Sequence, residues 1–160
     1  MPVTDYESFV AYFRNLADVN VALQDFVVGN SERILNRETS IINYPILWLE
    51  VPEIGIYQRG GYKERYSSAF LVLKNAPGDD WTQEETDLKE TQAIVRQILV
   101  RMQDDAETGL FDFDINGCTI MHKGKWSGDN DWGWRVEFEL TIDITDCTDD
   151  DDWSDLPPEE

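Results

Sequence analysis

The sequence predicts an α+β domain: a mainly antiparallel sheet with a long helix packed on one face. Three observations predict it. The stretch "WGWRVEFELTID" alternates, with Trp134, Val136, Phe138, Leu140 and Ile142 on one side and Arg135, Glu137, Glu139, Thr141 and Asp143 on the other. Period-two alternation is the mark of a strand with one buried face. The segment "TQEETDLKETQAIVRQILVRMQDD" instead carries Leu88, Thr91, Val95, Ile98, Leu99 and Met102 on one helical stripe. Apolar runs bounded by proline and glycine precede the helix, in an order that mixes strands with helices rather than repeating a βα unit.

The elements follow in order. "TDYESFVAYFRNLA" places Glu7 three residues after Thr4, a capping-box spacing, and repeats Phe9, Phe13 and Leu16 at helical intervals, so a helix is expected over 4–17. "DVNVALQDFVVGN" reads as an extended segment around 22–28 that stops at Gly29. "SERILNRETS" reads as a short helix capped by Ser31. Pro45 and Pro52 bracket a short strand, "ILWLEV". Proline is tolerated at strand ends and not within a sheet, and the apolar character of this strand implies burial on both faces.

"GIYQRGGYKERY" reads as a projecting hairpin loop with Gly60-Gly61 at its tip, followed by a strand over 65–74. Thr82 and Glu85 form a second capping-box pattern for the long helix, expected over 82–105, with Arg101 near its negative end. "LFDFDINGCTIMHKGKW" reads as a strand bent at Asn116-Gly117, and the alternating segment closes an antiparallel pair with it. Residues 1–145 are expected to form one domain, and 146–160 a flexible acidic tail.

Charge narrows the function. The chain of 160 residues carries −20 at neutral pH, with 41% hydrophobic residues and six tryptophans, the composition of a folded globule. Eight of the last fifteen residues are Asp or Glu, yet −12 remains on residues 1–145, so the body is acidic as well. Such a surface repels phosphate backbones and anionic membranes. It suits a DNA mimic, a cation binder, or a surface that lets DNA pass without holding it. The opening residues show no leader pattern, and the apolar runs are too short to span a bilayer, so a cytoplasmic location is expected.

The chemical motifs are sparse. His122 is the only histidine, and no nucleophile elbow, Walker loop or dinucleotide fingerprint accompanies it. Asp112 and Asp114 form a D-x-D that, on a strand, directs two carboxylates to one face. This is either the polar side of an amphipathic strand or a seat for Mg²⁺ in acid–base chemistry. "GDNDWG" fails the calcium-loop pattern, because Gly133, Trp134 and Leu140 stand where ligands and the turn glycine belong. Cys118 and Cys147 are free thiols or a disulfide pair. With no CxxC, a structural zinc site is not expected, and no cofactor is expected at all.

"YQRGGYKERY" gathers Tyr57, Arg59, Tyr62, Lys63, Arg65 and Tyr66, the one basic and aromatic cluster of the chain. Tyr and Arg are favoured at interface hot spots. On an acidic body this cluster is either an ordinary exposed hairpin or a head-to-tail contact, of the kind that closes into a ring when the rotation permits. Trp132 either caps the core edge or joins that interface. Glu137 and Glu139, and the tail residues Asp149, Asp150, Asp151 and Asp152, are the candidate acidic face.

The order of helix, buried "YPILWLEVP" strand, exposed hairpin, strand, long helix and closing pair ending in "GWRVEFELTI" resembles the small tail-completion or tail-terminator proteins of tailed phages and prophages, of the type carried in Bacteroidetes genomes. The resemblance spans residues 4–145 and rests on element order and apolar pattern; the acidic tail has no counterpart in it. It implies a non-enzymatic protein, assembled in the bacterial cytoplasm and retained in the virion tail. Such proteins form rings, commonly hexamers, at the head-proximal end of the tail tube and contact neck proteins. On that reading Tyr57, Arg59, Tyr62, Arg65 and Trp132 serve the subunit contact, and the acidic face lines a channel through which DNA slides. The rival readings are a DNA-mimic binding module and a metal-dependent enzyme using Asp112 and Asp114.

Overall fold

The computed structural model describes residues 2–29, 42–58, 61–75, 80–126 and 131–144. Its elements are α1 (Tyr6–Val19), β1 (Asp25–Val28), β2 (Ile46–Leu49), β3 (Glu53–Gln58), β4 (Tyr62–Asn75), α2 (Trp81–Glu107), β5 (Asp112–Phe113), a 3-10 turn (Ile115–Gly117), β6 (Thr119–Trp126) and β7 (Asp131–Asp143). The strands form one seven-stranded sheet in the order β1-β2-β4-β7-β5, with β3 also paired to β4 and β6 also paired to β7. Only β1 and β2 run parallel. The α+β class, with the long helix on one face, is the observed architecture.

Two long central strands organise everything else. β4 and β7 pair antiparallel from Lys63↔Asp143 to Asn75↔Asp131. This register sends Tyr66, Phe70 and Val72 of β4, with Val136, Phe138, Leu140 and Ile142 of β7, into the core beneath the helices. α1 adds Phe9, Phe13, Leu16 and Ala17; α2 adds Ile94, Val95, Ile98, Leu99 and Met102. Aromatic rings form the centre of this core, with Phe13 and Phe138 at 5.3 Å and Phe9 and Tyr66 at 5.0 Å between centroids. Each such ring contributes roughly 1.5–3 kcal/mol by leaving water. Tyr12 ties the two helices together by donating to Asp105 at 2.9 Å, and Arg101 binds the same carboxylate. Burial, then the Asp105 carboxylate, drive the Tyr12 hydroxyl well above its usual range.

Several boundaries differ from the sequence reading. α1 is capped by Asp5 and not Thr4: its carboxylate accepts from the Ser8 amide at 2.7 Å, and Ser8 Oγ accepts from the Asp5 amide, a capping box closed by serine in place of Glu7. α2 is capped by Asp80, which accepts from the Gln83 amide at 3.0 Å, so the Thr82–Glu85 pattern lies inside the helix. In each case an aspartate within two residues of the threonine, Asp5 just after Thr4 and Asp80 two before Thr82, caps in its place, because its acceptor is charged. The expected basic hairpin loop is largely strand: β3 runs to Gln58 and β4 already begins at Tyr62. The expected single strand over "LFDFDINGCTIMHKGKW" is split into β5, the 3-10 turn and β6, where a bend was anticipated. The short helix at Ser31, Gly60 of the hairpin tip and the tail 146–160 fall outside the described residues.

Candidate interaction surface

The sheet has a second face, and it is divided. At one end Val27, Ile46, Trp48, Leu71 and Leu73 form a smaller apolar cluster, with Ile42 and Tyr44 packed against it. At the other end the alternation of β7 brings out charge. Arg135 is clamped by Glu50, with Nε and an Nη each 2.8 Å from a carboxylate oxygen, and its other Nη meets Glu137. The bidentate Glu50 contact, then Glu137, hold the guanidinium firmly charged. Ser67 donates to Glu139 at 3.3 Å. Lys63 bridges Asp143 at 3.1 Å and Asp112 at 3.3 Å, and these two hydrogen bonds raise its ammonium above the ordinary lysine value. Glu50, Glu53, Ser67, Arg135, Glu137 and Glu139 line an open depression of about 440 Å³ across this face.

The sequence-derived candidates divide accordingly. Arg65, Glu137 and Glu139 are exposed and lie together on this face, with Arg65 on β4 opposite Thr141 of β7. Tyr62 is 62% exposed at the start of β4. Tyr57 pairs with Lys63 in the β3–β4 ladder. Arg59 and Asp149, Asp150, Asp151 and Asp152 lie outside the described residues, as does Cys147. Trp132 is corrected: it is 1% exposed, and its indole N–H donates to the buried Asp87 at 3.0 Å. Its surface is used inside the subunit, so it belongs to the core edge and not to an interface. Tyr66 is likewise buried, with its hydroxyl donating to Glu64.

Asp112 and Asp114 do not share a strand face. β5 ends at Phe113; Asp112 meets Lys63, while Asp114 accepts from the Asn116 amide at 2.9 Å and caps the 3-10 turn. Among the described residues no three His, Cys, Asp or Glu side chains converge as a metal site requires. His122 is exposed on β6, its ring edge-on to Trp134 at 5.8 Å. No described helix is long and apolar enough to cross a membrane. Sequence reasoning missed Glu50, which lies beyond the β2 strand and is brought to Arg135 only by the sheet order, and missed the buried Asp87 and Asp105 on α2.

Cys118 is a free thiol at the end of the 3-10 turn, half-buried, and burial with the nearby Asp114 pushes it up to about 11 from an ordinary 9.0. The folded chain therefore holds this proton more tightly than the unfolded one. Its contribution to stability is complete below the unfolded value and is lost as pH rises towards 11. In Cys147→Ser protein at pH 8, alkylation of Cys118 by iodoacetamide is expected at least ~50-fold slower than that of free cysteine, since the thiolate reacts. Mass spectrometry of timed samples measures it, and a rate near that of the free amino acid contradicts the buried placement.

Compared with known proteins, the chain matches no family model and no curated protein.

Proposed function

We propose that the chain is a non-enzymatic structural protein of a phage or prophage tail, one that forms a ring at the head-proximal end of the tail tube and contacts the tube and the neck proteins. One observation carries the reading. The helices seal one face of the sheet, while among the described residues Arg65, Glu137 and Glu139 stay exposed on the charged half of the opposite face. A face that meets other copies or borders a channel benefits from carboxylates fixed in place, because an acidic bore repels DNA phosphates and lets the duplex slide. The overall charge of −20 extends that field beyond the face itself. Assembly in the bacterial cytoplasm and retention in the virion belong to the same proposal.

Light scattering of the purified chain, across concentration and salt, tests it. A discrete multi-subunit species is the expected result, and Arg59→Glu with Arg65→Glu is expected to leave a folded monomer. Unaltered assembly in that double variant removes the hairpin from the contact. The acid excess also favours a second reading, a DNA mimic that occupies a basic protein. That reading predicts a monomer or dimer that captures such a partner and is displaced from it by duplex DNA.

A further inference from the structure

Among the described residues β1, β3, β5 and β6 each pair on one side only, and the edges of β3 and β6 are complementary. β3 pairs only with β4 and β6 only with β7 among the described residues, so each presents a row of backbone donors and acceptors on its outer side. β3 lacks the usual protection, whereas β6 carries Lys123 and Lys125 and an irregular ladder beyond Lys123, which leaves Thr119–Lys123 as its regular edge. β3 has no proline or lysine and exposes Ile54 at 43% and Ile56 at 70%. β6 exposes Ile120 at 41% and Met121 at 37%. The edges lie on opposite flanks of the β4–β7 centre, as a head-to-tail contact requires. Both β3 and β7 run antiparallel to β4, and β6 runs antiparallel to β7. A neighbouring copy in the same orientation therefore offers its β3 antiparallel to β6.

We propose that β6 of one copy pairs with β3 of the next, in the register that sets Met121 opposite Gly55. This proposal names the partner surface of the ring reading and rests on it. The register matches chemistry on both faces. It sets Glu53 opposite Lys123 on the charged face and Ile56 opposite Ile120 on the helix face, pairings of the kinds that stabilise antiparallel strands. It also matches length. The regular pairing of β6 runs from Thr119 to Lys123, where the ladder to β7 shifts, and these five residues meet Glu53–Tyr57.

The offset between the edges gives the geometry. Gly55 lies level with Arg65 of β4, whereas Met121, through Arg135, lies level with Leu71, six residues further along. Each copy then steps ~20 Å along the strands for four strand spacings of ~19 Å across them. That stagger inclines the strands by about 45° to the axis of a closed ring, close to the tilt of about 35–45° at which sheets close into barrels. With a β4–α2–β5 crossover of the usual right hand, the strands lean in the sense of normal sheet twist only if the helices lie outside. The charged face with Glu137 and Glu139 therefore faces the bore.

Cysteine trapping tests the pairing. Ile56→Cys with Ile120→Cys is made in a chain carrying Cys118→Ser and Cys147→Ser, and is treated with a mild oxidant or a short bis-maleimide. The expected result is a ladder of covalent oligomers that ends at the mass seen by light scattering, with neither single cysteine giving more than a dimer. Glu53→Lys is expected to weaken association several-fold per contact, with recovery on adding Lys123→Glu. A discrete multimer that gives no ladder overturns this pairing and leaves the ring reading intact. A ladder without a largest species retains the pairing and overturns the ring. A monomer at every concentration, with no ladder, overturns both.

Discussion

Gly133→Ala is expected to destabilise the chain by at least ~3 kcal/mol, more than the same change at Gly55, Gly117 or Gly124. Gly133 sits in β7 between two tryptophans that both turn towards the helices, and its own missing side chain is directed at β4. A Cβ there lies 1.9 Å from the carbonyl oxygen of Val72, 3.0 Å from its carbonyl carbon and 3.1 Å from Leu73 Cα. All three are backbone atoms of the longest strand, whose other side is held by β2 and β3. No rotamer relieves the clash. Either β4 and β7 separate, breaking the ladder that organises both faces, or β7 bulges and swings Trp132 off Asp87. Gly55→Ala is the matched control: its Cβ meets nothing within 4 Å, and the change is expected to stay within about 0.5 kcal/mol of the parent. Urea unfolding followed by tryptophan fluorescence measures both. A Gly133→Ala midpoint equal to that of Gly55→Ala is incompatible with so close an approach of the two strands.

The contrast between those glycines illustrates what the sequence carries. Local periodicity is legible: "VEFEL" declares which side chains of β7 face inwards, and the α2 stripe from Thr91 to Met102 is buried as its spacing implies. Nothing local distinguishes Gly133, which a central strand crowds, from Gly55, which an edge strand leaves free. That difference belongs to sheet order, a long-range property. The same limit explains Trp132. Its parity places it with the core, but its position beside a turn leaves its burial open until Asp87, 45 residues earlier, is brought beneath it. Lys63 and Arg65 illustrate the converse. Their basic character is plain in the sequence, and so is their nearness to glycine, but extended pairing and not a loop holds them, because β4 continues past the point where its apolar residues begin.

Asp87 is the second position where a large effect is expected. It is 1% exposed, on the buried side of α2, in a stripe where every other member but Thr91 and Asp105 is apolar. A carboxylate in such a place is tolerated only when its partners replace water. Three do so: the Trp132 indole N–H at 3.0 Å, the Gln83 side-chain Nε2 at 2.8 Å and the Lys74 ammonium at 3.2 Å. The carboxylate thus joins the first turns of α2 to the paired ends of β4 and β7. Asp87→Ala strands the indole donor in the core and removes a charge from beside Lys74. Loss of a buried donor's partner costs about 1–3 kcal/mol, and breaking a buried ion pair about 3–5. Lys74 retains contact with Glu90 and some access to water, so about 2–4 kcal/mol is the expected total. Asp87→Asn, which keeps an acceptor for the indole, is expected to lose about half as much. Trp132→Phe removes the donor and leaves the carboxylate its other two partners. In the Asp87→Ala, Trp132→Phe double variant the loss is therefore smaller than the sum of the singles by about 1 kcal/mol or more. Chemical denaturation of the four proteins measures the cycle. Strict additivity means that Asp87 and Trp132 do not act together, and that Asp87 holds the corner where α2 meets the central strands through Lys74 and Gln83.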